Sequence, residues 1–338
     1  MKVYLDPWTD VDYTAFYIQG LYEMYGSKNV QFSSRYFNGK KPNLALKFVV
    51  ENGAKISRYV IDWSDATTVE REDYEWCDVY GKINYNEKAT PEELRGKIIS
   101  MAPGFGIKIW SLSKSVFLAG SNCLRATPPL NQTKRFLSKY IKHNRHLPIE
   151  SYRPRPSKSD YVFSVSALWN SDEWIRNDET VNLYRARFFE VCKSIKNLHF
   201  EGGFVYSQIK NRNPRFQHLM LETDWILKEE YIAKIKDSTI VFNTPAWAMC
   251  HGWKLGEYLA LGKAIISTPL INDLPAPLEH GKHIHYVSGQ EDEIKKAVEL
   301  LLNDKQYRQH LEKGAYEYYA KYASPSQSVK LLVGEVCE

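Results

Sequence analysis

The most informative stretch of this chain is Cys250 to Thr268, CHGWKLGEYLALGKAIIST. The order of its residues predicts a tight turn at Gly252, a short helix that opens near Lys254, a stop at Gly262 and a buried strand over Ala264 to Ile266. A helix that opens in this way presents unpaired backbone N–H groups and the positive end of its dipole to an anion. The segment therefore predicts an anion-binding turn within an α/β unit.

Two charged side chains of the predicted helix add chemistry to this turn. Lys254 places a full positive charge at the helix opening. Glu257 lies about one turn further along, where a carboxylate can accept both hydroxyl protons of a diol. His251, beside the turn, is a candidate for supporting the same ligand or is a structural hydrogen-bonding residue. The alternative interpretation is an ordinary α/β unit in which Lys254 and Glu257 are solvated helix residues.

With these residues the chain resembles the nucleotide-sugar-binding half of GT-B fold glycosyltransferases. Retaining members of that family carry a glutamate, seven residues and a second glutamate. Glu257 matches the second glutamate, which implies that it binds the ribose, whereas Met249 stands at the first position. The resemblance continues through Gly281 to Val287 and the helical stretch after it. Tyr161 to Phe204 fits the opening strand, helix and strand of the same domain more loosely.

The resemblance implies an α/β fold of two Rossmann-like, doubly wound domains that face each other across a cleft. It implies a transferase that moves a sugar from a nucleotide diphosphate donor to a glycan or a lipid-linked saccharide, in surface polysaccharide assembly. No metal or other cofactor is expected, because enzymes of this fold generally work without one. Two alternatives stay open: a sugar-nucleotide epimerase of the same fold, and a non-catalytic glycan-binding protein.

Length and composition agree with two domains, since 338 residues exceed the range in which one hydrophobic core keeps growing. We expect an N-terminal acceptor-binding domain over residues 1–155, a donor-binding domain over 156–322 and a C-terminal segment, 323–338, that crosses back to the first domain. The formal net charge of +5 favours anionic ligands and does not require nucleic acid. Five scattered cysteines and the lack of a long apolar run predict a cytoplasmic protein, or one peripheral on the inner face of the membrane.

In the first half of the chain, strand and helix patterns alternate, which predicts a doubly wound, largely parallel sheet. Ligands of such sheets gather at the carboxyl ends of the strands. The loop Asp6 to Asp12 follows the first predicted strand, and Asp10 is our candidate for the base that takes the acceptor proton. Asp12 and Asp62 are alternatives, and Asp10 or Asp12 is equally suited to cap the next helix. Because the first 142 residues contain no histidine, we expect a base in this domain to be an acid.

A basic helix is predicted over Lys134 to Arg145, inside a proline-rich stretch, residues 127–159, that is typical of an interdomain linker. Such a helix can lie on an anionic membrane, where lipid-linked acceptors are found. The alternative is a solvated helix.

Further donor contacts are predicted in the second half. Asn182 and Arg185 share one face of a predicted helix, and Arg185 is a candidate contact of the diphosphate, with Arg176 as its rival. Gly203, one of two adjacent glycines at a predicted strand end, permits close approach of the nucleobase or simply makes a turn. His283 and His285 fall on one strand face without a third ligand, so no metal site is expected.

Overall fold

The structure is a computed structural model that describes residues 1–37, 44–169, 178–206, 214–222 and 226–334. In chain order its first elements are β1 (Lys2–Leu5), α1 (Val11–Tyr25), β2 (Val30–Phe32), β3 (Ala45–Asn52), β4 (Lys55–Asp62), α2 (Arg71–Trp76), β5 (Val79–Lys82), α3 (Glu92–Arg95), β6 (Ile98–Ser100), α4 (Leu112–Ala126) and α5 (Leu130–His143). They are followed by β7 (Tyr161–Leu168), α6 (Asp178–Ser194), β8 (His199–Tyr206), α7 (Lys228–Asp237), β9 (Val241–Asn243), α8 (Trp253–Ala260), β10 (Ile265–Ser267), β11 (His285–Tyr286), α9 (Glu291–Asn303), α10 (Lys305–Tyr318) and α11 (Pro325–Val333). The α/β class predicted from the sequence is confirmed.

The chain divides into two compact units. The first unit consists of Met1–Ser151, Asn272–Ala276 and Ala320–Glu338, and the second of Tyr152–Ile271 and Pro277–Tyr319. The short segment around Asp273 belongs to the first unit because its backbone is bonded there. The Asp273 amide donates to the Tyr85 carbonyl at 2.7 Å, and the Ser100 hydroxyl donates to the Asp273 carbonyl at 2.9 Å.

The first unit contains a six-stranded mixed sheet in the order β2-β1-β3-β4-β5-β6. The pairs β1/β2, β4/β5 and β5/β6 are parallel, but β3 is antiparallel to both β1 and β4. Five of these six strands run in one direction, which agrees with the largely parallel sheet predicted from the sequence. The exception is β3, and it is reversed at Gly53, whose φ of +60° lets the chain turn sharply between β3 and β4. A connection this short can join only antiparallel strands.

Helix packing completes the first unit. α11 packs on α1 at Gly20, where a Cβ atom would lie 2.1 Å from the Pro325 carbonyl oxygen. α5 buries Phe136, Tyr140 and His143, so much of the stretch interpreted as a linker is a packed helix. Within the described ranges no helix is both long and apolar enough to cross a membrane.

The second unit is built on parallel strands. β7 pairs with β8, and β9, β10 and β11 form a three-stranded sheet in the order β11-β10-β9. Its core holds Phe188 of α6 stacked on Phe242 of β9, with ring centroids 4.5 Å apart, together with Ile266 and Leu301. Because parallel strands place their carboxyl ends at one edge, the residues after β7 and β9 are the natural place for a ligand in this unit.

A glycine pair tests the packing of α11 on α1. Gly20→Ala should lower the free energy of unfolding by about 1–3 kcal/mol, because its methyl group meets the backbone of Pro325. Gly120→Ala is the matched control: Gly120 also lies within a helix, but a Cβ there meets no described atom within 4 Å. It should raise stability by about 0.5–1 kcal/mol, the ordinary gain from replacing a helical glycine. Urea denaturation measures both, and equal effects would contradict the close contact.

Candidate functional site

The start of α8 forms as the sequence predicts. Gly252 is the N-cap residue, with φ −80° and ψ 159°, and has no side chain with which to cap the helix. The backbone N–H groups of the first turn therefore keep the capacity to bind an anion. Gly262, with φ +57°, follows the helix, and its left-handed conformation is one that glycine adopts readily.

Lys254 lies in the first turn of α8 and reaches back to the carboxyl-terminal half of β7. Its ammonium group donates to the Val165 carbonyl and, at 3.1 Å, to the Ser166 hydroxyl. Burial lowers the pKa of Lys254 to about 7, and the nearby charge of Arg185 contributes to the shift. An ammonium has three N–H donors, and its bonds to the described residues use two of them. An anion at this position would restore the charged form that burial disfavours.

Arg185 of α6 holds the end of β7 against the loop after β9. Its guanidinium donates to the Thr244 hydroxyl at 2.9 Å, to the Pro245 carbonyl at 3.2 Å and to the Ala167 carbonyl at 3.3 Å. Asn182, on the same helix face, donates to the Trp169 carbonyl at 2.8 Å. The prediction that Asn182 and Arg185 share one face of the helix is confirmed. These bonds also give Arg185 a structural role. Its contact with a diphosphate stays a prediction, and its rival Arg176 lies outside the described residues.

Glu257 is a buried carboxylate that forms an ion pair with Lys228 of α7. The Glu257 side chain is 3% exposed and that of Lys228 is 24% exposed. Burial raises the pKa of Tyr152 and of Tyr258, and the negative charge of Glu257 adds to both shifts. The sequence analysis did not find Lys228, because nothing local links two residues so far apart in the chain. Ribose binding by Glu257 stays a prediction, and it now has to include Lys228.

Gly203 and His251, both predicted to contact the donor, lie in closely packed surroundings. Gly203 lies inside β8, which continues to Tyr206, and so it is not at a strand end. A Cβ at Gly203 would lie 2.4 Å from the Leu219 carbonyl oxygen, so this glycine permits close backbone packing. His251 is 5% exposed and directly precedes the N-cap of α8. Contacts of Gly203 or His251 with a donor stay predictions.

The loop between β9 and α8 is strained. Ala248 and Met249 have φ angles of +52° and +59°, in a region that residues with a side chain rarely adopt. The loop closes on itself, since the Ala246 amide donates to the Cys250 carbonyl at 2.9 Å. Such strain costs energy and persists only where surrounding contacts hold it. The residue types at these two positions do not predict this conformation.

The first unit contains a cavity of about 390 Å³ with aromatic and charged walls. Tyr13 stacks on Trp63 with ring centroids 4.2 Å apart and planes 11° apart. The indole nitrogens of Trp8 and Trp63 are buried and have no hydrogen-bond partner among the described residues. The charged side chains on the wall are Asp10, Asp65, Arg135 and Lys139. The cavity therefore offers an aromatic face and side chains of both charges to a polar ligand.

The structure places the three candidate acids differently. Asp10 lines the cavity, caps α1 by accepting from the Asp12 amide at 3.2 Å, and pairs with Lys139 at 2.9 Å. Asp62 is buried in an ion pair with Lys82 at 2.8 Å and accepts from the Tyr80 hydroxyl at 2.7 Å. That environment gives Asp62 a structural role, so it is the weakest candidate for a base.

Asp12 has a histidine partner that the sequence analysis left out. His146 Nε2 lies 2.8 Å from Asp12 Oδ1, and both belong to the first unit. The expectation that a base of this domain must be an acid rested on the first 142 residues alone. It excluded histidine as the base, and this exclusion is wrong because His146 lies in the same unit. His143 is different, since burial lowers its pKa to about 4 and it accepts from the Ile109 amide at 2.8 Å.

The histidines near β11 are engaged in structural hydrogen bonds. His280 accepts from the Tyr286 amide at 3.0 Å, His283 accepts from the Glu279 amide at 3.0 Å, and His285 lies 2.9 Å from the Tyr307 hydroxyl. In the parts of the chain that the structure describes, no group of three His, Cys, Asp or Glu side chains is placed to hold a metal ion.

No protein-family model matches the chain, and a comparison with curated proteins finds no match. Several solved structures are similar at low sequence identity. TarM of S. aureus is 12% identical over 80% of this chain and 47% of its own, with a TM-score of 0.43. The C-terminal domain of LpcC, a group 1 glycosyl transferase family protein of Francisella tularensis, is 12% identical over 51% of this chain and 96% of its own, with a TM-score of 0.35.

S. aureus MnaA, solved with UDP, is 10% identical over 77% of this chain and 59% of its own, with a TM-score of 0.38. The chain thus spans about half the length of TarM. LpcC is a glycosyl transferase by name, which is the class implied by the sequence resemblance. Likenesses of this size do not assign an activity to this chain.

The ion pair of Glu257 and Lys228 predicts an asymmetric response to substitution. Lys228→Ala should lower the free energy of unfolding by about 2–4 kcal/mol, because it leaves a buried carboxylate without its cation. Glu257→Gln removes that charge and keeps the side-chain shape, so its loss should be smaller, about 1 kcal/mol. The matched control is Lys296→Ala, which breaks an exposed pair with Asp292 and should change little. Urea denaturation that ranked Glu257→Gln as the more damaging change would contradict the assignment.

Proposed function

We propose that this protein is a glycosyltransferase that moves a sugar from a nucleoside diphosphate sugar to a glycan or a lipid-linked saccharide, in surface polysaccharide assembly. The observation that carries the proposal is the group of charges at the start of α8. Lys254 and Arg185 lie close enough for each charge to affect the other, and Lys254 sits in the first turn of the helix. A helix start with an added cation is suited to the two phosphates of such a donor.

In this proposal different residues of the second unit bind different parts of the donor. Lys254 and the first N–H groups of α8 bind the diphosphate and stabilise the charge that grows on it as the sugar leaves. Glu257 accepts hydroxyl protons from the ribose, which requires its carboxylate to share its hydrogen bonds between Lys228 and the ligand. Gly252 keeps the approach to the helix start free of a side chain.

The cavity of the first unit is the proposed acceptor site. Stacked Tyr13 and Trp63 suit the apolar face of a sugar ring, and the charged side chains on the wall, Asp10, Asp65, Arg135 and Lys139, suit its hydroxyl groups. Asp10 on the cavity wall is the proposed base for the acceptor hydroxyl, without a metal ion. Cytoplasmic localisation is part of the proposal, and the four described cysteines are all free, as a reducing compartment would leave them.

The proposal is tested by incubating the protein with a panel of nucleoside diphosphate sugars, with and without acceptor glycans. Release of nucleoside diphosphate that depends on the acceptor is the expected result, and Asp10→Asn should slow it about a hundredfold or more with little change in KM. Asn still caps a helix, so α1 should survive this change. Interconversion of nucleotide sugars without acceptor would instead identify an epimerase, and the absence of any turnover together with glycan binding would identify a binding protein.

The lowered pKa of Lys254 predicts that nucleoside diphosphate binding takes up a proton. In the free protein the pKa of Lys254 is about 7, and a bound diphosphate stabilises the ammonium form, so this pKa rises on binding. Between about pH 7 and pH 9, above the phosphate pKa of about 6, affinity should therefore fall as pH rises. Calorimetry in buffers of different ionisation enthalpy measures the proton uptake directly.

Lys263 supplies the matched control for this titration. Burial lowers its pKa to about 8, and it donates to the carbonyls of Lys236 and Ser238 at the end of α7. Lys254→Met should abolish the proton uptake and weaken binding of the diphosphate, whereas Lys263→Met should preserve both at temperatures where each variant is folded. Proton uptake that persisted in Lys254→Met would remove this lysine from the donor site.

A further inference from the structure

The helical hairpin formed by α4 and α5 carries large apolar side chains on its outside. Phe117 is 72% exposed, Leu124 is 82% exposed and Leu130 is 95% exposed. Scattered single apolar residues are common on protein surfaces, but here several fall within two consecutive helices joined by a short connection. Such a concentration marks an interaction surface.

The positions along α4 show that this is a distinct face. Leu112, Val116, Gly120 and Leu124 are four residues apart and so lie along one side of the helix, with Phe117 beside them. All five are exposed. The buried residues of α4 are the small or polar Ser115, Ala119, Asn122 and Ala126. The helix therefore packs inward through small side chains and turns its largest apolar side chains outward, the reverse of an ordinary surface helix.

Charge is segregated in the same hairpin. Between Leu112 and Arg145 the sequence contains seven lysines and arginines and no aspartate or glutamate. Since the whole chain has a formal charge of +5, the remaining residues together carry −2. Lys114, Arg125, Lys134 and Lys142 are exposed. The apolar face thus lies within a region of one sign of charge, which attracts anionic surfaces.

We propose that the α4–α5 hairpin docks on an anionic lipid bilayer. Phe117, Leu124 and Leu130 enter the boundary between headgroups and acyl chains, and the neighbouring cations contact lipid phosphates. A nucleic acid would satisfy the cations but leave the apolar side chains in water, so the combination favours lipid. The proposal does not depend on transferase activity, because docking requires neither donor nor acceptor.

Sedimentation with sucrose-loaded vesicles tests the surface in the absence of any nucleotide sugar. The protein should bind vesicles of phosphatidylcholine with phosphatidylglycerol, bind phosphatidylcholine alone much more weakly, and dissociate at about 0.5 M salt. The double substitution Phe117→Ser with Leu124→Ser should lower partitioning at least about tenfold. Lys134→Gln with Lys142→Gln should lower it about 25-fold, at about fivefold for each cation, and should weaken its salt dependence.

Matched substitutions outside the hairpin control for general effects. Ile56→Ser with Leu300→Ser removes two exposed apolar residues, and Lys295→Gln with Lys305→Gln removes two exposed cations. Both control variants should bind as the unchanged protein does. Equal losses in control and hairpin variants, or no preference for anionic vesicles, would overturn the proposal. Tight binding to duplex DNA that survives the loss of Phe117 and Leu124 would identify a nucleic-acid surface and overturn it as well.

Discussion

The second unit depends on the buried guanidinium of Arg185. This one side chain, 8% exposed, joins α6 to the end of β7 at Ala167 and to the loop after β9 at Thr244 and Pro245. These bonds to neutral oxygens help to compensate for the water that the guanidinium loses on burial. Lys254 adds a second cation nearby, while the carboxylate of Glu257 is already paired with Lys228. The start of α8 thus holds two cations close together, and an anionic ligand would relieve their repulsion.

Local sequence signals predicted much of this region. Gly252 and Gly262 bound α8 because helix starts and stops are set by a few neighbouring residues. The partners of the charged residues were not predictable in this way. Lys228 reaches Glu257 from another helix, and Lys254 bonds to β7, so both contacts depend on how distant segments pack. Gly203 was placed at a strand end because paired glycines suggest a turn, yet close backbone packing gives the same residue preference.

In the first unit, α5 contributes side chains to two surfaces, the wall of the cavity and the outside of the hairpin. α5 contributes Arg135, Phe136 and Lys139 to the cavity wall, and Lys139 there pairs with Asp10. Its outer side carries Lys134 and Lys142. The sequence predicted a basic helix here but assigned it to a linker, because prolines flank it on both sides. The aromatic residues of α5 are in fact buried, so the segment is a packed helix and not a linker. Composition alone does not reveal burial. If both proposals hold, a lipid-linked acceptor would meet the bilayer surface and the cavity through the same helix.

The proposed donor site places the diphosphate of a nucleotide sugar at the start of α8. A crystal structure of the protein with a bound nucleoside diphosphate tests this placement. Phosphate oxygens are expected within hydrogen-bond distance, about 2.7–3.2 Å, of Lys254 Nζ and of the first backbone N–H groups of α8. A nucleotide ordered elsewhere in the molecule, with the α8 start in contact with no phosphate, would contradict it.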